Sequence, residues 1–134
     1  MDDLLARLFE RLDQADIRYC LIRDAAELDT GAELSELDLL VQPDQMDLLR
    51  HTLAGLGYIR LPALGHAPHH FFVTYDEASD RWLKLDVVTE LAYGRPIKAL
   101  RTGLATNCLN RRRRHGITFV PAPEDELVAL LLHC

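Results

Sequence analysis

The chain is poor in most of the signals that assign a protein to a class at sight. No apolar run approaches the ~20 residues that a membrane-spanning helix requires, and Met1-Asp2-Asp3-Leu4 opens the chain with acid where a secretory leader carries base. Cysteine is sparse: Cys20, Cys108 and Cys134 are an odd, scattered set, which argues against a disulfide framework and for reduced thiols in a cytoplasmic protein. Aromatic residues make up 7% of the chain, with one tryptophan. There is no Gly-x-Gly-x-x-Gly, no P-loop, no Gly-x-Ser-x-Gly and no Cys-x-x-Cys, so the familiar dinucleotide, NTPase, hydrolase and thiol-redox motifs are missing. Basic charge is also short. The net charge of −6 opposes general nucleic-acid binding.

What remains is an ordinary globular composition, 49% hydrophobic and 27% charged over 134 residues. That length fits one domain burying roughly two-thirds of its unfolded surface. Leu4, Leu5, Leu8, Phe9 and Leu12 recur at helical spacing and predict an opening amphipathic helix. The apolar run 17–22 predicts a first strand with Cys20 in the core. Residues 24–34 read as a loop with room for a helical turn, and 37–41 as a second strand. Pro43-Asp44 starts a helix whose stripe is Met46, Leu49, Leu53 and Leu56, closed by Gly55 and Gly57. A short strand at 58–61 and a turn-rich loop at 62–68 follow. Residues 70–75 and 82–88 then predict an antiparallel pair joined by the polar stretch 76–80. Residues 91–110, interrupted by Gly94, Pro96 and Gly103, carry no clear pattern, and 116–120 is compatible with a short strand. Pro121-Ala122-Pro123-Glu124-Asp125-Glu126 is a helix start. The helix it opens stops without a cap, which points to a single domain, residues 1–134, forming the N-terminal part of a longer chain. The leucine-rich end bearing Leu127, Leu130, Leu131 and Leu132 would meet a C-terminal partner domain or a second subunit.

Against this background three acids stand out. Glu36 and Asp38 lie two apart in Ser35-Glu36-Leu37-Asp38-Leu39-Leu40-Val41, and Asp86 interrupts Leu83-Lys84-Leu85-Asp86-Val87-Val88. Strand side chains alternate faces, so Glu36 and Asp38 point one way while Leu37, Leu39 and Val41 point the other. Carboxylates disfavour strands and are costly to bury. Any one of them alone would read as an edge-strand acid pointing to water; three of them in two strongly strand-like segments suggest a site that wants clustered negative charge, whose usual tenant is a divalent cation such as Mg²⁺. Stiff strands suit that role, because ligand positions are held to within about half an ångström. Lys84 shares the Asp86 face and is available to a phosphate or to Asp86 itself.

Two other groups invite a functional reading. Residues 111–114 are four consecutive arginines. Such a run ordinarily forms a solvated face, and a phosphate-facing patch is the alternative, with Arg112 and Arg114 pointing together if the segment is a strand. His66-Ala67-Pro68-His69-His70 matches no strong zinc spacing, so its histidines are expected to be exposed or capping. Trp82 is expected to pack between sheet and helix.

The order of these elements, with Ser-acid-Leu-Asp-Leu-Leu-Val and a later Leu85-Asp86-Val87, resembles the nucleotidyltransferase superfamily of polymerase-β-like fold. More narrowly, Tyr19-Cys20-Leu21-Ile22-Arg23, the strand from Ser35 and Pro123-Glu124-Asp125-Glu126 resemble the bacterial and archaeal uncharacterised nucleotidyltransferase family, over roughly residues 4 to 134. The resemblance implies an α+β (α/β) fold, a mixed β-sheet flanked by helices. It implies Mg²⁺- or Mn²⁺-dependent transfer of a nucleoside monophosphate from an NTP to a hydroxyl or phosphate acceptor. Glu36 and Asp38 would bind metal and triphosphate, and Asp86 the metal that activates the acceptor, with Arg23, Ser35 and Lys84 toward the nucleotide. Two departures point to a second possibility, a catalytically degenerate module for nucleotide binding or protein interaction. Glu36 stands where the family has Asp, and Ile22-Arg23-Asp24-Ala25 replaces its Gly-Ser phosphate turn.

Overall fold

The computed structural model describes residues 3–23, 25–31, 34–62, 69–90 and 104–132, with side chains at 104 and 128–132 left aside. Expectations for 63–68, including His66, for 91–103, and for His133 and Cys134 fall outside that set, as do the side chains of Leu130, Leu131 and Leu132.

In chain order the elements are α1 (Asp3–Gln14), β1 (Tyr19–Leu21), α2 (Ala25–Asp29) and β2 (Glu36–Val41). A 3₁₀ turn (Pro43–Gln45) leads into α3 (Met46–Gly55), followed by β3 (Ile59–Leu61), β4 (His69–Asp76) and β5 (Arg81–Val88). The described chain closes with α4 (Leu104–Arg111), β6 (Arg113–His115), β7 (Thr118–Val120) and α5 (Pro123–Leu132). The protein is thus α+β, with a five-stranded mixed sheet in the order β1-β2-β5-β4-β3 and a separate β6-β7 hairpin. Only β2 and β5 run parallel; the other neighbours are antiparallel. No described helix is long and apolar enough to cross a membrane.

The alternation read from the sequence sets which side of the sheet is dry. Leu37, Leu39 and Val41 of β2 and Leu83, Leu85 and Val87 of β5 all face one way, onto Leu5, Leu8, Phe9 and Leu12 of α1 and Met46, Leu49 and Leu53 of α3. Each fully buried leucine is worth roughly 1.5–3 kcal/mol of transfer free energy. This layer is therefore the principal core. Gly57, at φ +90°, turns the chain from α3 toward β3, a conformation that costs glycine little.

Among the described residues, cover on the opposite face lies at one end. There Ala105, Cys108 and Leu109 of α4 pack on Cys20, Ile22, Leu40 and Val88. Beside this patch the β6-β7 hairpin guards β1. Phe119 meets Tyr19 edge to face at 5.8 Å, and the Arg112 guanidinium donates to the Tyr19 carbonyl at 2.8 Å. Arg112 and Arg114 both lie over the Phe119 ring, at 3.9 and 5.1 Å, so they do point together. Arg114 also pairs with Asp13 at 2.8 Å, and Arg111 grips the buried Asp125 at the start of α5 with two nitrogens. The arginine run is largely a solvated face, with Arg111, Arg113 and Arg114 exposed and Arg112 half-buried. Three of its four members tie elements together, and only Arg113 is left exposed without an ion pair among the described residues.

Candidate metal centre

The candidate site begins where the cover of α4 stops. On β2, Leu40 is buried, Asp38 is half-buried and Glu36 is exposed. On β5, Val88 is buried and Asp86 is half-buried. Glu36 pairs in register with Lys84, and Asp38 with Asp86. Register partners in a parallel ladder share a face, so the three carboxylates converge. One oxygen from each of Glu36, Asp38 and Asp86 lies within 4.8 Å of the other two. The extra methylene of Glu36 does not keep its carboxylate out of the cluster.

Two unit negative charges about 5 Å apart repel by roughly 3 kcal/mol at an effective dielectric near 20. Countercharge offsets this repulsion, and the protein supplies some on both sides of the cluster. The Arg23 Nε lies 4.0 Å from one Asp38 oxygen. On the other side, His69 Nδ1 lies 2.8 Å from Asp86 Oδ1. His69 reaches it because β4 and β5 pair antiparallel with Phe71 opposite Asp86, placing His69 on the diagonal of the same face. Its ring runs parallel to Phe71, at 6.0 Å. The hydrogen bond to Asp86 raises the His69 pKa above the ordinary histidine value. Burial opposes the rise, and the charges of Asp86 and Asp38 add to it.

His69 thus departs from the expectation of an exposed or capping histidine. The signal was available: the turn after Asp76 fixes the hairpin register, and counting back from it brings His69 to the Asp86 face. Its neighbour His70 points to the other face, where burial and the nearby Arg50 and Arg60 hold its pKa down. Two adjacent histidines that diverge in this way do not ligate one ion.

The remaining expected residues are distributed as follows. Lys84 stands on the acid face with its ammonium 4.5 Å from the centre of the Phe71 ring, a cation–π placement; it is not paired with Asp86. Ser35 has an exposed side chain, and its carbonyl accepts the Lys84 N–H at 2.9 Å, so its described role is to open the β2-β5 ladder. Trp82 is not sandwiched between sheet and helix. It is 60% exposed and tilts against Tyr75 at 5.1 Å, at the far end of the acid-bearing face.

Three carboxylate oxygens, with no thiolate or second imidazole among the described neighbours, form a hard-oxygen site of the kind Mg²⁺ or Mn²⁺ prefers. No family model matches this chain, and neither a curated protein nor a solved structure matches it.

Proposed function

We propose that this chain is a nucleotidyltransferase-like domain that transfers a nucleoside monophosphate from an NTP to a hydroxyl or phosphate acceptor with Mg²⁺ or Mn²⁺. The observation that carries the reading is the convergence of Glu36, Asp38 and Asp86 on one face of two adjacent strands, within 4.8 Å. The sequence resemblance at Ser35-Glu36-Leu37-Asp38 and Leu85-Asp86-Val87 supports it, and so does a mixed sheet flanked by helices.

In this reading Glu36, Asp38 and Asp86 hold the cation. Bound Mg²⁺ supplies two things: a lower pKa for an attacking hydroxyl and neutralisation of charge on the phosphoryl group. His69 orients Asp86 through Oδ1, leaving the second oxygen for a ligand. Arg23 and Lys84, two basic side chains beside the acids, take the place of a glycine-rich phosphate turn. Arg23 is suited to a forked phosphate contact, and Lys84 to a point-charge contact.

A second reading, a degenerate module that binds a nucleotide or a protein without transfer, has its own supporting observation. Asp38 and Asp86 already have protein partners in Arg23 and His69, and these supply countercharge without a metal.

Thermal denaturation with Mg²⁺ or Mn²⁺ and each of the four NTPs tests both. Stabilisation by metal plus NTP that disappears in Asp38→Ala and Asp86→Ala supports the site. No stabilisation with any NTP overturns it. Stabilisation without transfer of a labelled nucleotide to any acceptor selects the degenerate module.

A further inference from the structure

Cys20 and Cys108 lie 88 residues apart in the chain, yet their sulfurs are 3.7 Å from each other. Cys20 sits on β1 and Cys108 on α4. Both thiols are buried, in the small apolar cluster with Ile22, Leu40, Val88, Ala105 and Leu109. A disulfide requires sulfurs about 2.05 Å apart. The gap to close is about 1.7 Å. Sequence alone gave only scattered cysteines; the sheet and α4 bring two of them into one contact.

We propose that Cys20 and Cys108 are a modification site, a dithiol that a peroxide converts to an intramolecular disulfide within the folded protein. In the first step the Cys108 thiolate attacks one peroxide oxygen and the O–O bond breaks. Cys108 becomes a sulfenic acid, and hydroxide leaves to be protonated to water. In the second step the Cys20 sulfur attacks Sγ of that sulfenic acid, the S–O bond breaks, and a second water leaves with the Cys20 proton. Two thiols and one hydrogen peroxide give one disulfide and two waters. The assignment of roles follows from the pair itself. The hydrogen bond shared with Cys20 favours the thiolate on Cys108 against the opposing effects of burial and Asp125, and Arg111 adds to it, while that bond and burial push Cys20 up.

The bridge staples α4 onto β1. α4 covers the sheet face up to Leu40 and Val88, each two residues from Asp38 or Asp86 on the same face. Oxidation therefore fixes the cover at the border of the acidic cluster. The proposal does not depend on what the acids bind.

The test uses the full chain carrying Cys134→Ser, so that the third thiol takes no part. After exposure to hydrogen peroxide under native conditions, the expected product is two hydrogens lighter in intact mass. It should yield a Cys20–Cys108 linked peptide, return to the original mass with dithiothreitol, and melt about 5 °C or more higher. The Cys20→Ala and Cys108→Ala variants should show neither the mass loss nor the gain in melting temperature. If peroxide only adds oxygen to single cysteines, the proposal is overturned. The same holds if both thiols remain titratable after treatment, or if the linked peptide forms only in urea. These outcomes are read on the two-cysteine protein itself and do not require either alanine variant to fold.

Discussion

Asp38 and Asp86 are register partners on the one parallel strand pair of the sheet, so their carboxylates leave the same face side by side. Glu36, one pleat further along β2, adds a third negative charge at the exposed end of the row. Such a cluster opposes its own assembly, and Arg23 beside Asp38 and His69 beside Asp86 offset part of that repulsion.

Glu36→Gln separates charge repulsion from ligation. Removing the outermost charge of the trio relieves repulsion in the metal-free protein, so its melting temperature should be equal to or slightly above that of the parent. The stabilisation produced by Mg²⁺ with an NTP should be lost. A drop in metal-free stability with retained metal response would mean that Glu36 is structural.

The His69–Asp86 bond makes stability depend on pH. Because the folded-state pKa of His69 is raised by its bond to Asp86, its contribution is fully present below the ordinary histidine value near 6.5 and fades as pH rises through the raised folded value. The stability gap between the parent and His69→Gln should therefore be widest below about pH 6.5 and narrow as the pH rises above it. Denaturant melts across that range check it; a gap that grows with pH would contradict the assigned direction.

Leu85 lies between the site residues Lys84 and Asp86 but points into the principal core. Leu85→Ala should cost about 2–5 kcal/mol in urea unfolding. The same cost is expected for Leu37→Ala, between Glu36 and Asp38. A cost below about 1 kcal/mol at both positions would mean that the faces of β2 and β5 are misassigned.

Trp82 is the only tryptophan and is mostly exposed. Its native emission should be red-shifted and readily quenched by acrylamide, and Trp82→Ala should alter stability by no more than about 0.5 kcal/mol. A blue-shifted, quencher-resistant native spectrum would restore the buried position that the sequence led one to expect.

Within the arginine run the structure ranks the members. Arg113→Ala should lie within about 0.5 kcal/mol of the parent. Arg112→Ala removes the donor to the Tyr19 carbonyl and the cover of Phe119, and should cost about 1–2 kcal/mol. Equal effects at both positions would place Arg112 on a solvated face after all.

Local pattern sufficed for the helices α1 and α3, the strand pair β4-β5 and the two faces of β2, because each rests on periodicity over neighbouring residues. The stretch before Asn110 concealed α4, since Ala105, Cys108 and Leu109 present too narrow an apolar stripe to stand out amid polar neighbours. Trp82 misled for a related reason. A large aromatic ring is usually buried, and nothing local shows that no described helix covers its end of the sheet.

The sequence by itself determined that Glu36, Asp38 and Asp86 lie in apolar strands and that the first two share a face, because alternation along a strand is a property of the backbone. Whether Asp86 joins them was decided by tertiary structure alone. A parallel pairing of β2 with β5 in another register would shift Asp86 away from Asp38, and a slip of one residue would turn it into the core. The same long-range packing brought His69 to Asp86, Arg23 to Asp38, and Cys108 against Cys20. Each of these contacts joins segments whose separation along the chain carries no information about their distance in space.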